Sequence, residues 1–146
     1  MAEFATSIDI DADPDLVFTF LTTNDGMTAW MGQWASLNPE PGGEFAVDIF
    51  GSPVRGEFLE VDPPHRVVVS WGYAGSEDLP PGLSRVSFTL TPIPSGTRVE
   101  LLHSDLPDRH VPGHSRGWPY FADRLALAAA GIDPGPDTWR PADTVM

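Results

Sequence analysis

Cysteine is absent from this 146-residue chain, and so is lysine. The first absence removes disulfides, thiolate metal sites and thiol nucleophiles; the second removes Schiff-base chemistry. No apolar run approaches the ~20 residues that a membrane helix needs. The opening MAEFATSIDID has neither the basic start nor the apolar middle of a secretory leader, so a cytoplasmic location without membrane insertion is expected. Basic residues are scarce as well: eight arginines stand against 21 acidic residues, a formal charge of −13. Such a chain is repelled by phosphate backbones and anionic lipid, and its arginines are spread from Arg55 to Arg140 rather than clustered. Nucleic acid is therefore not an expected partner. The charge reads as solubility, and the lack of lysine beside many glycines, prolines and alanines matches high-GC bacterial coding.

What is present is enough for one domain with one core, since a chain of this length buries roughly 70% of its extended surface. The stretch from His103 to Gly131 organises it. His114, Trp118, Phe121, Leu125 and Ala128 or Ala129 recur with a 3.6-residue period, which predicts a helix from about residue 116 to 130. Gly131 and Pro134 end it, and Arg116, Asp123 and Arg124 are expected on its wet face. Before it come strands. Residues 4–11 alternate in polarity, and Asp13-Pro14 opens a short helix with Val17, Phe20 and Leu21 inward. A second short helix from Asn24 to Met31 carries Trp30 inward. Five strand-like runs follow, Glu44 to Phe50, Val54 to Val61, Arg66 to Tyr73, Ser84 to Thr91 and Thr97 to His103, separated by Pro/Gly turns. Residues 132–146 have no periodicity and read as an extended or disordered tail, with Trp139 as its one anchor.

Short motifs in this order resemble a known family. They are Asp11 to Leu21; Trp30-Met31-Gly32; Pro41-Gly42-Gly43-Glu44-Phe45; the run from Gly56 to Pro64; Val69-Ser70-Trp71; Pro81 to Val86; Gly96-Thr97-Arg98-Val99; Leu101 to Ser104; and Gly117-Trp118. Together they are similar to the START-like, helix-grip (SRPBCC) superfamily, and within it to the bacterial group named after the activator of the ninety-kilodalton heat-shock ATPase. The resemblance implies an α+β helix-grip fold over residues 1–131: a curved six-stranded antiparallel sheet wrapped around a long C-terminal helix, with two short helices after the first strand. It implies an apolar pocket between sheet and helix. Relatives include lipid carriers, hormone receptors, polyketide cyclases and co-chaperones, so the fold does not choose a reaction. Pro119 departs from the family pattern, and it places the regular helix start near Trp118 or a kink in the first turn.

Two motifs are set aside. Gly113-His114-Ser115-Arg116-Gly117 has the spacing of a nucleophile elbow, but a loop rather than a strand precedes it and no histidine follows. His103, Asp105, Asp108, His110 and His114 lie close in sequence, yet Pro112 and Gly113 deny them a regular scaffold for a metal. No metal, cofactor or catalytic residue is expected. The pocket wall is expected to be Trp30, Trp71, Tyr73, Phe88, Leu101, His103, Trp118, Phe121 and Leu125, with His103 its polar member. The resulting expectation is a non-catalytic binder of a small hydrophobic or amphipathic molecule, lipid-like or polyketide-like. The alternatives are a cyclase-like or hydrolytic enzyme using His103, and a co-chaperone-like module with a protein partner.

Overall fold

The computed structural model describes residues 2–139. Strand β1 (Ala2–Ile10) is followed by two helices, α1 (Pro14–Thr22) and α2 (Asn24–Thr28). The strands β2 (Trp34–Leu37), β3 (Glu44–Ile49), β4 (Ser52–Asp62), β5 (Arg66–Tyr73), β6 (Ser84–Ile93) and β7 (Gly96–Leu106) come next. A single 3-10 turn, Asp108–His110, leads into α3 (Val111–Ala129). All strands belong to one antiparallel sheet of order β1-β7-β6-β5-β4-β3-β2. Consecutive hairpins account for β2 to β7, and β1 closes the far edge by pairing with β7, Phe4 opposite His103 and Ile8 opposite Val99.

The sheet has seven strands where six were expected. The extra one is β2, a four-residue edge strand in which Trp34 pairs with Asp48 and Leu37 with Phe45. Four residues are too few for an alternation to be legible, and the strand exists because Gly32 turns the chain onto β3. At φ 79° a glycine is required there, and a Cβ would sit 2.7 Å from the Asp48 carbonyl oxygen.

The concave face of the sheet carries the core. On β5, Val67, Val69, Trp71 and Tyr73 alternate inward, opposite Phe88, Val86 and Ser84 of β6 at the first three positions. Helices α1 and α2 close one end with Val17, Leu21 and Met27, and Trp30 just beyond α2 is fully buried, its indole N–H donating to the Phe20 carbonyl at 2.9 Å.

Helix α3 begins at Val111, five residues before the expected start. Pro112 falls in the first turn, where amides have no helical partner to lose, so it does not bar the helix. Pro119 lies inside α3 and removes one backbone bond to Ser115 without ending the helix. The inward stripe of His114, Trp118, Phe121 and Leu125 is as the period demands. Arg124 departs from expectation. It is buried rather than wet, because its guanidinium bonds the Trp30 carbonyl and the carbonyls of Pro134, Gly135 and Pro136. Those last three belong to residues 132–139, which form no helix or strand and run back along α3. Residues 140–146, the rest of the expected tail, lie outside the described residues. No helix among the described residues is long and apolar enough to cross a membrane.

Candidate functional site

Between the first half of α3 and strands β3 to β5 lies a cavity of about 30 Å³. The helix side of its wall is His114, Gly117, Trp118 and Phe121; the sheet side is Ile49, Ser52, Trp71 and Tyr73. Met31 and Trp139 complete it. The volume suits a water molecule and little more. Four of the expected wall residues, Trp71, Tyr73, Trp118 and Phe121, meet here. The Trp71, Trp118 and Tyr73 rings form one cluster, with Trp71 5.1 Å from Trp118 and 6.3 Å from Tyr73 between centroids.

Four others do not. Trp30, Phe88, Leu101 and Leu125 surround a separate void of about 10 Å³ farther along the helix, against β1, β6 and β7. The reason is the thickness of Trp118: its ring reaches the sheet, 6.1 Å from Phe88, and divides the space under the helix in two. His103 lies behind that divide and lines neither space. The wall residues missing from the expectation are Met31, Ile49, Ser52, His114, Gly117 and Trp139.

His103 is fully buried, and its bonding fixes its chemistry. The Trp118 indole can only donate, and it donates to Nδ1 at 3.0 Å. The neutral ring must therefore carry its proton on Nε2, which donates to the Ser84 hydroxyl at 2.7 Å. The hydroxyl in turn donates to the Trp71 carbonyl at 2.7 Å. Every group in this chain has a partner, and His103 has no free lone pair with which to take a proton from Ser84. Burial, reinforced by the neighbouring His114 and His110, holds its pKa well below the usual histidine value.

A second chain crosses the cavity wall. His114 Nδ1 donates to the His110 carbonyl at 2.8 Å, which leaves Nε2 as acceptor for the Tyr73 hydroxyl at 3.0 Å. Burial lowers the His114 pKa to about 4, against the opposing pull of that backbone bond, and raises the Tyr73 pKa to about 12. Both groups are neutral at physiological pH. Trp71 supplies the exception: its buried indole N–H leans on the Tyr73 hydroxyl enough to temper that tyrosine's shift, but falls short of hydrogen-bond geometry and has no partner among the described residues.

Ser115 of the elbow-like motif bonds the Pro112 carbonyl within the first turn of α3, with no strand to present it. Among the described residues no three His, Asp or Glu side chains gather closely enough to hold a metal ion.

The fold is shared with solved structures. An AHSA1-like protein from Rhizobium etli is 39% identical over 95% of this chain and 88% of its own, with a TM-score of 0.74. CalU16 from Micromonospora echinospora is 28% identical over 92% of this chain and 76% of its own, with a TM-score of 0.71. The Aha1 dimer from Colwellia psychrerythraea is 25% identical over 89% of this chain and 97% of its own, with a TM-score of 0.75. No curated protein matches the chain in sequence. The sequence model of one family spans residues 11–130, from the first helix to the end of the last, and the chain belongs to that family, the Activator of Hsp90 ATPase homolog 1-like proteins of the SRPBCC superfamily.

Proposed function

We propose that this protein binds a small apolar or amphipathic molecule, without catalysis, in the space between the first half of α3 and strands β3 to β5. One observation carries the reading: an aromatic-walled cavity whose wall includes the Trp71 indole N–H, a buried donor without a hydrogen-bond partner among the described residues. Apolar walls with one or two placed polar groups are the usual composition of small-molecule sites. A ligand covering about 200 Å² of this wall gains on the order of 5 kcal/mol before ordering costs. An acceptor atom set against Trp71 takes up this donor.

The enzyme alternative needs His103 as a base. Its Nδ1 lone pair is held by Trp118 and its Nε2 carries a proton, so the buried imidazole has no basic atom to offer a substrate. The neighbouring Tyr73 and His114 satisfy each other in the same way.

Native mass spectrometry of freshly purified protein tests the reading first, since a retained small molecule appears as added mass. Titration with neutral environment-sensitive dyes and with fatty acids follows, on the parent and on Trp71→Phe and Trp118→Phe. Saturable binding weakened by either substitution is expected. Binding indifferent to both removes the site.

A further inference from the structure

Residues 132–139 do more than trail along α3, for they reach the cavity itself. The Trp139 ring stands 5.3 Å from Tyr120 and 5.9 Å from Phe121, and it covers Gly117, where a Cβ would come within 3.3 Å of it. Its placement is tied down. Asp137 accepts the Tyr120 hydroxyl and the Trp139 N–H through one oxygen and the Gly32 N–H through the other. Arg124 holds the carbonyls of Pro134, Gly135 and Pro136.

With the indole seated, the cavity measures about 30 Å³. Sites for small molecules run roughly 300–1,000 Å³, so the closed form is too small for any ligand that its walls suit. The half-buried Trp139 ring already uses part of the apolar surface that a ligand would cover.

We infer that the Trp139 indole occupies the ligand's place, that residues 132–139 are a built-in competitor for the site, and that the ligand is a flat, fused-ring aromatic bearing a hydrogen-bond acceptor. This rests on the binding reading above and adds to it the class of ligand and the condition for its entry. Gly117 gives α3 a flat patch on which a ring can lie, and Phe121 and Trp118 continue that surface inward. The surface that fits one bicyclic ring fits another. The acceptor is what the indole of Trp139 cannot supply to Trp71, since an indole only donates. A protein whose site is self-occupied for most of the time binds with an affinity reduced by its open fraction.

The test uses prodan, a neutral naphthalene carrying a ketone, with decanoate as the flexible comparison. Each is titrated against the full chain, Trp139→Ala and Asp137→Ala, the last keeping the indole but cutting its tether. The folds are checked by circular dichroism, and Asp137→Ala carries the comparison if Trp139→Ala does not fold. Prodan should bind Trp139→Ala about ten-fold more tightly than the parent, as for a site open about a tenth of the time. Asp137→Ala should fall between, and decanoate should gain less. In the parent, saturation with prodan should shift the Trp139 indole N–H resonance. Equal affinity in all three proteins with that resonance unmoved overturns the competitor while leaving the binding reading intact. A gain for decanoate as large as that for prodan overturns the aromatic class. Failure of both probes to saturate either the parent or Trp139→Ala overturns the binding reading and this inference together.

Discussion

Arg124 donates its Nε–H to the carbonyl of Trp30 at 2.9 Å, joining the middle of α3 to the turn after α2. The same guanidinium lies over the Tyr120 ring and turns its other edge to the carbonyls of residues 134–136. One planar cation thereby organises two segments that carry no regular structure. Lysine cannot copy this, because its ammonium is a point donor without a fork. Arg124→Lys should cost about 1–3 kcal/mol, the worth of charged hydrogen bonds lost from a buried setting. Urea unfolding measures the loss. Limited proteolysis of residues 132–139, faster in the variant than in the parent, separates release of the segment from general destabilisation.

The His103 network makes a sharper demand than a lone core histidine would. His103→Phe keeps an aromatic ring, a larger one, but leaves the Trp118 N–H without its acceptor and the Ser84 hydroxyl without a donor. A destabilisation of about 2–4 kcal/mol is expected for two buried polar groups disturbed together. His103→Gln, which can both accept and donate, should recover part of it. Chemical denaturation of the three proteins decides this, and a phenylalanine variant as stable as the parent would contradict the proton assignment.

Acid should loosen the fold as the pH falls below about 6.5. In the unfolded chain both histidines take up a proton near pH 6.5. In the folded chain burial holds His103 well below that value and His114 at about 4. Between those limits the unfolded state binds more protons, so stability is full above about pH 6.5 and falls as the pH drops, by up to about 1.4 kcal/mol per unit for each histidine. Denaturation at pH 7.5, 6 and 5 should show the decline. His114→Gln should roughly halve its slope, and a flat profile in the parent would mean that the two rings are not held neutral.

The parts of this molecule written in local pattern were legible in the sequence. The alternation of Val67, Val69, Trp71 and Tyr73 and the period of Trp118, Phe121 and Leu125 each reflect one element burying one face. The misreadings lie where long-range contacts override local preference. Pro112 and Gly113 argued against helix, yet His114 is drawn into α3 by Tyr73, 41 residues earlier. Arg124 read as a surface charge because the carbonyls that hold it come from an aperiodic segment. Trp34–Leu37 is a strand only because β3 lies beside it. For the site, the pattern gave the aromatic set but not its division by Trp118, which depends on how far one ring reaches. The signal for Trp139 was there: a large aromatic in a Pro/Gly-rich polar stretch has no local use and calls for a partner elsewhere.

Gly117 offers a test in which stability and site occupancy move in opposite directions. It lies inside α3, where alanine is favoured over glycine by about 1 kcal/mol. Its φ is ordinary, so no backbone strain opposes the change. The obstacle is Trp139: the new Cβ would stand 3.3 Å from Cζ2 of that ring, closer than side chains normally pack, and at ordinary contact, 3.7 Å, from Cε2 and Cη2. The helix backbone is fixed by its neighbours, whereas the indole belongs to a segment without helix or strand that is held by side-chain bonds, so the ring gives way by a few tenths of an ångström. Gly117→Ala should therefore raise Tm by about 2–5 °C, the scale of 1 kcal/mol for a chain of this size. It should at the same time weaken the hold of Trp139 and tighten prodan binding. Differential scanning calorimetry and the dye titration, run on the same preparation, read the two effects. A fall in Tm with unchanged dye affinity would mean that the indole cannot yield, and that Trp139 is a fixed wall of the cavity rather than its removable occupant.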